Sequence, residues 1–289
     1  MVSHLGKALA VESVNGTTIV CHTRRRLGLP AVGDWVLWEP CGDNQGRVTK
    51  ILPRRSLLSR PGVKSKTRPV AANIDQLLVV FATEPNCDFL LIDQFLVVCE
   101  LQGISAHLIL NKVDLGGVEK VAALNENLTV YARVDYPIHL VSAKTGEGID
   151  RLSESLKKHI SMLVGQSGVG KSSISNILLP DRNLETAALS SGSGKGIHTT
   201  TKSTLYHLPE GGDLIDSPGI AIFGLADIKE QDLANGFREF RPYISSCRFK
   251  NCRHINDKGC AVISAVKNGQ IDGQRYQRYL KLFKKLLVT

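Results

Sequence analysis

Four short motifs stand along this 289-residue chain in an order that constrains its fold more than any other feature. Asn111-Lys112-Val113-Asp114 comes first and Ser142-Ala143-Lys144 second. Gly165-Gln166-Ser167-Gly168-Val169-Gly170-Lys171-Ser172 follows, and Asp216-Ser217-Pro218-Gly219 comes last. In the ordinary arrangement the two phosphate-reading motifs precede the two guanine-reading ones, and here they come after them. All four must still meet around one nucleotide, so the chain is expected to fold as a circularly permuted α/β domain. The rotation also sends the chain from its last phosphate-reading segment straight into a new domain.

The third motif fits the G-x-x-x-x-G-K-[ST] phosphate loop and has the context that loop needs. The apolar run Ser161–Val164 precedes it as a strand, and Ser173 to Leu179 continues it as a helix. Glycine lets successive N–H groups turn toward the phosphates, and the helix N-terminus adds partial positive charge. Lys171 is placed to reach the β and γ oxygens, and the Ser172 hydroxyl to hold Mg²⁺. A chance glycine-rich turn is the plain alternative for such an isolated pattern; three further motifs argue against it.

Asp114 offers a carboxylate that can accept both the N1–H and the 2-amino hydrogens of guanine, a bidentate charge-assisted pair that adenine cannot supply. GTP is therefore favoured over ATP, and the motif set is that of a GTPase. The strand Ala106–Leu110 delivers this motif to a strand's carboxyl end, where ligands of open α/β sheets bind. Ser142, Ala143 and Lys144 follow the strand Ile138–Val141 and are expected to approach the base from its other side.

Asp216 is expected to bind Mg²⁺ through water and the Gly219 N–H to contact the γ-phosphate. Ras-like enzymes carry a water-orienting glutamine next, whereas this chain has Ile220, so intrinsic hydrolysis is expected to be slow. A polar substitute is sought in Gly194 to Thr201, where the first switch belongs. One of Thr199, Thr200 or Thr201 is expected to bind Mg²⁺, with Thr200 preferred. His198 is the candidate for contacting water or the γ-phosphate, although a lone loop histidine is more often simply solvated.

Cys247-x₄-Cys252-x-His254-x₅-Cys260 supplies three thiols and one imidazole, enough to close a tetrahedral Zn²⁺ shell. Neither a signal peptide nor a long apolar span is evident, so a cytoplasmic, reducing setting without a membrane is expected, which favours zinc over disulfides. With every ligand supplied by protein, the metal is expected to be structural. Cys21, Cys41, Cys87 and Cys99 read as core or incidental residues.

Charge divides the chain into three parts. Residues 1–70 carry 12 Lys and Arg against 4 Asp and Glu, residues 71–227 carry 11 against 18, and residues 228–289 carry 13 against 5. The chain therefore reads as an OB-like β-barrel with a basic linker (1–70), a GTPase domain (71–227) and a mainly α zinc-binding domain (228–289). Two basic flanks around an acidic enzyme suggest a polyanion, with nucleic acid the leading candidate. Arg24–Arg26, Arg54 and Arg55 are expected on barrel loops. Trp35 or Trp38 offers a stacking face, although one or both filling the barrel core is the more natural expectation. Residues 56–72 read as a poorly ordered linker. Tyr276, Tyr279, Leu280, Phe283 and Leu287 form a helical apolar stripe with basic residues around it, expected to pack on its own domain and leave lysines to phosphate.

The order NKVD, SAK, GQSGVGKSS, GKGIHTTT, DSPGI, then the Cys and His cluster, closely resembles the RsgA family of bacterial small-ribosomal-subunit-dependent GTPases. The resemblance covers the whole architecture. It implies an N-terminal OB fold, a permuted GTPase and a C-terminal zinc domain acting late in maturation of the 30S subunit, on 16S-type rRNA, with hydrolysis stimulated by that subunit. It implies that Asn111, Lys112, Asp114, Ser142, Ala143 and Gly165 through Ser173 line the GTP site, and that Cys247, Cys252, His254 and Cys260 bind zinc. A monomer is expected. A GTPase switch for a protein partner and a zinc-dependent nucleic-acid binder with a merely structural nucleotide are the alternatives.

Overall fold

The computed structural model describes residues 1–23, 27–42, 45–61, 67–115, 124, 127–180, 203–217 and 228–288. Its centre is β8 (Gln76–Ala82), in which every residue is buried and all after Gln76 are apolar, as a strand covered on both faces must be. β8 pairs in parallel with β9 (Ser105–Asn111) on one side and β11 (Ile160–Gly165) on the other, and β10 (Ile138–Leu140) adds outside β9. Beyond β11 lie β13 (Asp213–Asp216), parallel, and β12 (Thr204–His207), antiparallel.

The chain thus lays β8, β9 and β10 outward in one direction, then crosses back over β8 to place β11, and finally adds β13 and β12. The strand order reverses between β8 and β11, and open α/β sheets bind ligands at the carboxyl ends flanking such a switch point. Both faces are covered. Leu77, Val79 and Phe81 share a core with α1 (Phe89–Gln102), while Leu78 and Val80 meet α2 (Ile149–Leu156) and α3 (Lys171–Leu178) in a second core.

α1 starts where the Asp88 carboxylate accepts from the N–H groups of Leu90 and Leu91, and ends at left-handed Gly103 (φ 67°). Residues Ile92 through Cys99 are all buried, so α1 has no solvent face. Its second surface is covered by the C-terminal module, whose 3-10 turn Glu230–Gly236 crosses so closely that a Cβ on Gly236 would lie 2.7 Å from Val97 Cγ1. That module continues through a turn at Arg238–Phe240 and α4 (Arg241–Ile244) to α5 (Ala261–Lys267) and α6 (Gly273–Val288).

At the other end, β1 (Ser3–Leu5), β2 (Ala8–Glu12), β3 (Thr18–Thr23), β4 (Val36–Pro40) and β5 (Gln45–Ile51) run in the order β1-β2-β3-β5-β4. That order, with β3 and β5 parallel, suits a five-stranded Greek-key barrel of the OB type. β1 also pairs with β12, so barrel and central sheet share one continuous eleven-stranded ladder. The seam carries a side-chain bridge: His207 on β12 contacts Asp213 at 2.6 Å and reaches Glu12 of the barrel at 2.8 Å. These two carboxylates, the Asp213 hydrogen bond foremost, raise the His207 pKa to about 9.

One expectation changes, and two become specific. Residues expected as a poorly ordered linker contain the antiparallel strands β6 (Leu57–Pro61) and β7 (Thr67–Ala72), because Leu58 and the run Val70–Ala72 have a core to enter. Arg54 is bound within the fold, its guanidinium paired to buried Asp34 at 2.7 and 2.8 Å. The two tryptophans part: Trp38 lies over Gly46 of β5, whereas Trp35 is 62% exposed. Arg24–Arg26 lie outside the described residues.

Candidate nucleotide site and metal centre

The carboxyl ends of β11, β8, β9 and β10 bring three of the four motifs together, and backbone chemistry explains the residues chosen. Gly165 ends β11 at φ 138°, where a Cβ would sit 2.0 Å from the Val80 carbonyl oxygen. Gly170 (φ 93°) opens α3, and a Cβ there would strike the Asn111 Nδ2 at 2.3 Å. The Lys171 ammonium donates to the carbonyls of Gly165 and Gln166 at 2.8 and 2.7 Å. Its half-burial lowers its pKa. Ser167, Gly168, Ser172 and Ser173 are exposed and Val169 is buried.

Asn111 is 1% exposed, so its side chain is a tie inside the protein. Its Nδ2 donates to the Val169 carbonyl at 2.8 Å and its Oδ1 accepts from the Ala143 N–H at 3.0 Å. One amide therefore fixes the phosphate loop to the Ser142–Lys144 loop. Lys112 (φ 64°) makes a second tie, its ammonium donating to the carbonyls of Gly168 (2.7 Å) and Glu84 (2.9 Å). Buried Ser142 donates to one oxygen of Asp114 at 2.6 Å and accepts from the Thr145 N–H at 3.1 Å. The Asp114 carboxylate is thereby aimed while remaining exposed, as is Lys144. Such a pre-aimed carboxylate can accept a pair of donors in one plane.

Asp216 ends β13, beside the phosphate-loop strand, and is half-buried. Ser203 and Ser217 hydroxyls hydrogen-bond to each other, closing the gap between β12 and β13 at that end. His198, Thr199, Thr200, Thr201, Gly219 and Ile220 lie outside the described residues.

The Cys and His cluster is assembled. Cys247 Sγ lies 3.9 Å from Cys260 Sγ and 3.6 Å from His254 Nδ1, which is 3.3 Å from Cys260 Sγ. All four ligand atoms, Cys252 included, lie within 4.8 Å of one another. A tetrahedron of Zn–S bonds of about 2.3 Å and a Zn–N bond of about 2.0 Å requires separations of roughly 3.5 to 3.8 Å, so the residues fit this metal. His254 takes a left-handed backbone (φ 57°), uncommon for a residue with a side chain. α6 holds it there: the Tyr276 hydroxyl donates to the His254 carbonyl at 2.9 Å, and Tyr279 to that of Arg253 at 2.6 Å. Burial raises the Cys252 and Cys260 thiols above their ordinary pKa.

The contact between the C-terminal module and the GTPase was not anticipated from the residues. Asp93, fully buried on apolar α1, accepts from Arg275, Arg278 and the Tyr131 hydroxyl, and Arg275 also forks onto Glu239 at 2.6 and 3.0 Å. Glu100, two turns on, receives Arg238 and Arg241, both at 2.7 Å. The arginines of α6 thus bind protein, as does Lys285, whose ammonium donates to the Gln94 side-chain oxygen at 2.9 Å, while Lys281 and Lys284 are exposed. The available signal was a lone Asp and a lone Glu within Phe89–Gln102, an otherwise apolar helix.

A permuted sheet carrying a phosphate loop, an Asn-Lys-x-Asp motif and an aimed aspartate defines a circularly permuted GTPase. The family model for the RsgA GTPase matches residues 51–226. The "Small ribosomal subunit biogenesis GTPase RsgA" proteins of Histophilus somni and Azotobacter vinelandii are 42% and 44% identical over 96% of this chain, covering 81% and 82% of theirs. The crystal structure of YjeQ from Thermotoga maritima is similar over 99% of this chain and 96% of its own, at 34% identity and a TM-score of 0.81. That of YloQ, a circularly permuted GTPase, follows at 27% and 0.76 over 99% and 93%. The chain belongs to the RsgA GTPase family.

Proposed function

We propose that this GTPase is an assembly factor for late maturation of the small (30S) ribosomal subunit, working in the cytoplasm as a monomer. It binds 16S-type rRNA through its basic flanks and leaves on hydrolysis. The observation that supports this best is the relatedness to proteins named for small-subunit biogenesis, which runs through all three parts of the chain. The parts are assigned as 1–70, 71–227 and 228–289.

In this assignment Gly165, Gln166, Ser167, Gly168, Val169, Gly170 and Ser173 cradle the phosphates of GTP, and Lys171 exchanges its loop carbonyls for β and γ oxygens. Asp114 reads the guanine edge, Lys112 lies under the base, Ala143 and Lys144 close its other side, and Asn111 and Ser142 hold these groups in place. Mg²⁺, held by Ser172 and Thr200 with Asp216 acting through water, would neutralise charge developing on the transferring phosphoryl group. Water attacks the γ-phosphorus, the bond to the β-bridging oxygen breaks, and GDP and phosphate leave. Gly219 contacts the γ-phosphate and His198 positions the water. Cys247, Cys252, His254 and Cys260 hold one structural zinc ion.

GTP hydrolysis by the purified protein, alone and with purified 30S or 50S subunits, tests the partner. Stimulation by 30S alone is the expected result; equal turnover in all three conditions removes the ribosomal assignment.

A further inference from the structure

Of the 13 basic residues in 228–289, four arginines are engaged with Asp93, Glu100 and Glu239. The charge left to face a polyanion therefore concentrates elsewhere, and part of it sits on the loop between two metal ligands. Arg248, Phe249, Lys250 and Asn251, the residues between Cys247 and Cys252, are all exposed. Phe249 is 46% exposed, unlike Phe237, Phe240 and Phe283, which are buried in the module's core. An apolar ring held out of an available core is poorly explained by folding.

The loop is built to hold that ring still. Cys247 and Cys252 pin its ends at the metal centre, and the Cys252 N–H donates to the Phe249 carbonyl at 3.2 Å. The Arg248 N–H donates to the Gly259 carbonyl at 3.0 Å. Gly259 is left-handed (φ 73°), and a Cβ there would come 3.0 Å from Arg248 Cβ, so the glycine makes room for the arginine stem. The Arg248 guanidinium then lies 5.5 Å from the Phe249 ring centroid, within cation–π range.

We propose that Phe249 is a stacking platform for an unpaired base of RNA, with Arg248 and Lys250 taking the adjoining phosphates. The chemistry is that of single-strand recognition: a π-face for the base, flanked by cations for the backbone. A pinned aromatic loses little conformational entropy when a base covers it. The platform rests on the small subunit being the partner assigned above only for where the RNA comes from; the geometry itself asks for any accessible unpaired base.

The test uses the full-length, zinc-loaded protein and two probes: 30S subunits, and a short single-stranded RNA containing 2-aminopurine. Phe249→Ala is expected to weaken both by about tenfold, within the range for loss of one stacked base, and to abolish 2-aminopurine quenching. Phe249→Trp is expected to restore both. Zinc content, GTP binding and unstimulated hydrolysis should match the parent protein in each variant. Binding of both probes by Phe249→Ala within twofold of the parent overturns the platform. Loss of 30S binding by Phe249→Ala, with RNA binding and quenching unchanged, also overturns it and assigns the ring to a ribosomal protein. A parent protein that binds and quenches the RNA in a Phe249-dependent way but ignores 30S keeps the platform and removes the ribosomal assignment.

Discussion

Replacing Asp93 by alanine removes the anion at the centre of a buried four-charge cluster. Asp93 and Glu239 balance Arg275 and Arg278, and three of these side chains are 0%, 8% and 1% exposed (Asp93, Glu239, Arg275). Without Asp93 the cluster carries one uncompensated positive charge, and breaking a buried pair from one side typically costs about 3–5 kcal/mol. Arg278, at 12% exposure, can swing toward water, which pulls the charge penalty to about 3 kcal/mol at the low end of that range. The Tyr131 hydroxyl, equally buried, loses its acceptor for about 1 kcal/mol more. The loss of about 4 kcal/mol falls on the contact between α1 and α6, so it is read best by native-state hydrogen exchange in 273–288 rather than by a whole-chain melt. At about 1.4 kcal/mol per decade, exchange there should quicken by roughly a thousandfold, up to the limit set by global unfolding. The double variant Asp93→Ala, Arg275→Ala should cost less than the sum of the singles, since each removes what the other leaves unpaired. A change under tenfold in the single variant refutes the assignment of Asp93 as the anchor of the C-terminal module.

Further outcomes follow from other contacts. Asp114→Asn exchanges one acceptor for a donor, so GTP affinity should fall by at least about tenfold while affinity for the xanthine nucleotide rises; competition binding measures both. Asn111→Ala strands the Val169 carbonyl and the Ala143 N–H, costing about 1–3 kcal/mol of nucleotide affinity in calorimetry. His207 titrates near 9 against an ordinary 6.5, so its bridge between barrel and sheet is fully present below pH 6.5 and lost as pH rises through 9. With the side chain 58% exposed, the effect is held to about 0.5–1 kcal/mol by screening, and an NMR titration of His207 in wild type and Glu12→Gln reads it directly. His107, stacked on His139, is lowered to about 4 chiefly by burial, so the stability it contributes by staying neutral is lost as pH falls from 6.5 toward 4. Replacing His107 with phenylalanine should flatten that part of the stability profile in urea titrations at successive pH values.

The parts legible in the sequence are those where chemistry demands a fixed residue at a fixed spacing. The phosphate loop needs glycine where Val80 and Asn111 crowd the backbone, and the spacing of Cys247, Cys252, His254 and Cys260 brings their ligand atoms within 4.8 Å of one another, so the loop and the cluster were both readable without a structure. The pairing of β6 with β7 was hidden because the basic residues among 56–72 suggested a linker, while the apolar positions Leu58 and Val70–Ala72 were too few to stand out. The roles of Arg54, Arg275 and Arg278 were hidden for a different reason. An arginine that pairs with a buried carboxylate looks, in one dimension, the same as one that faces phosphate, and only the positions of Asp34 and Asp93 separate them.

That separation bears on how the nucleotide site reaches the C-terminal module. One route is the chain itself, through residues 218–227, which lie outside the described residues. A second is visible in α1. Lys112 bonds the Glu84 and Gly168 carbonyls together, Asp88 then caps α1, and α1 delivers Asp93 and Glu100 to four arginines of the module. On this route a displacement of the phosphate loop at Gly168 would act on the start of a helix whose Ile92–Cys99 stretch is buried. If α1 carries the signal, Lys112→Met should uncouple the two ends: nucleotide exchange from GTP to GDP would no longer change hydrogen exchange in 273–288, although the module stays docked. An undiminished response in that variant assigns the coupling to the chain connection instead.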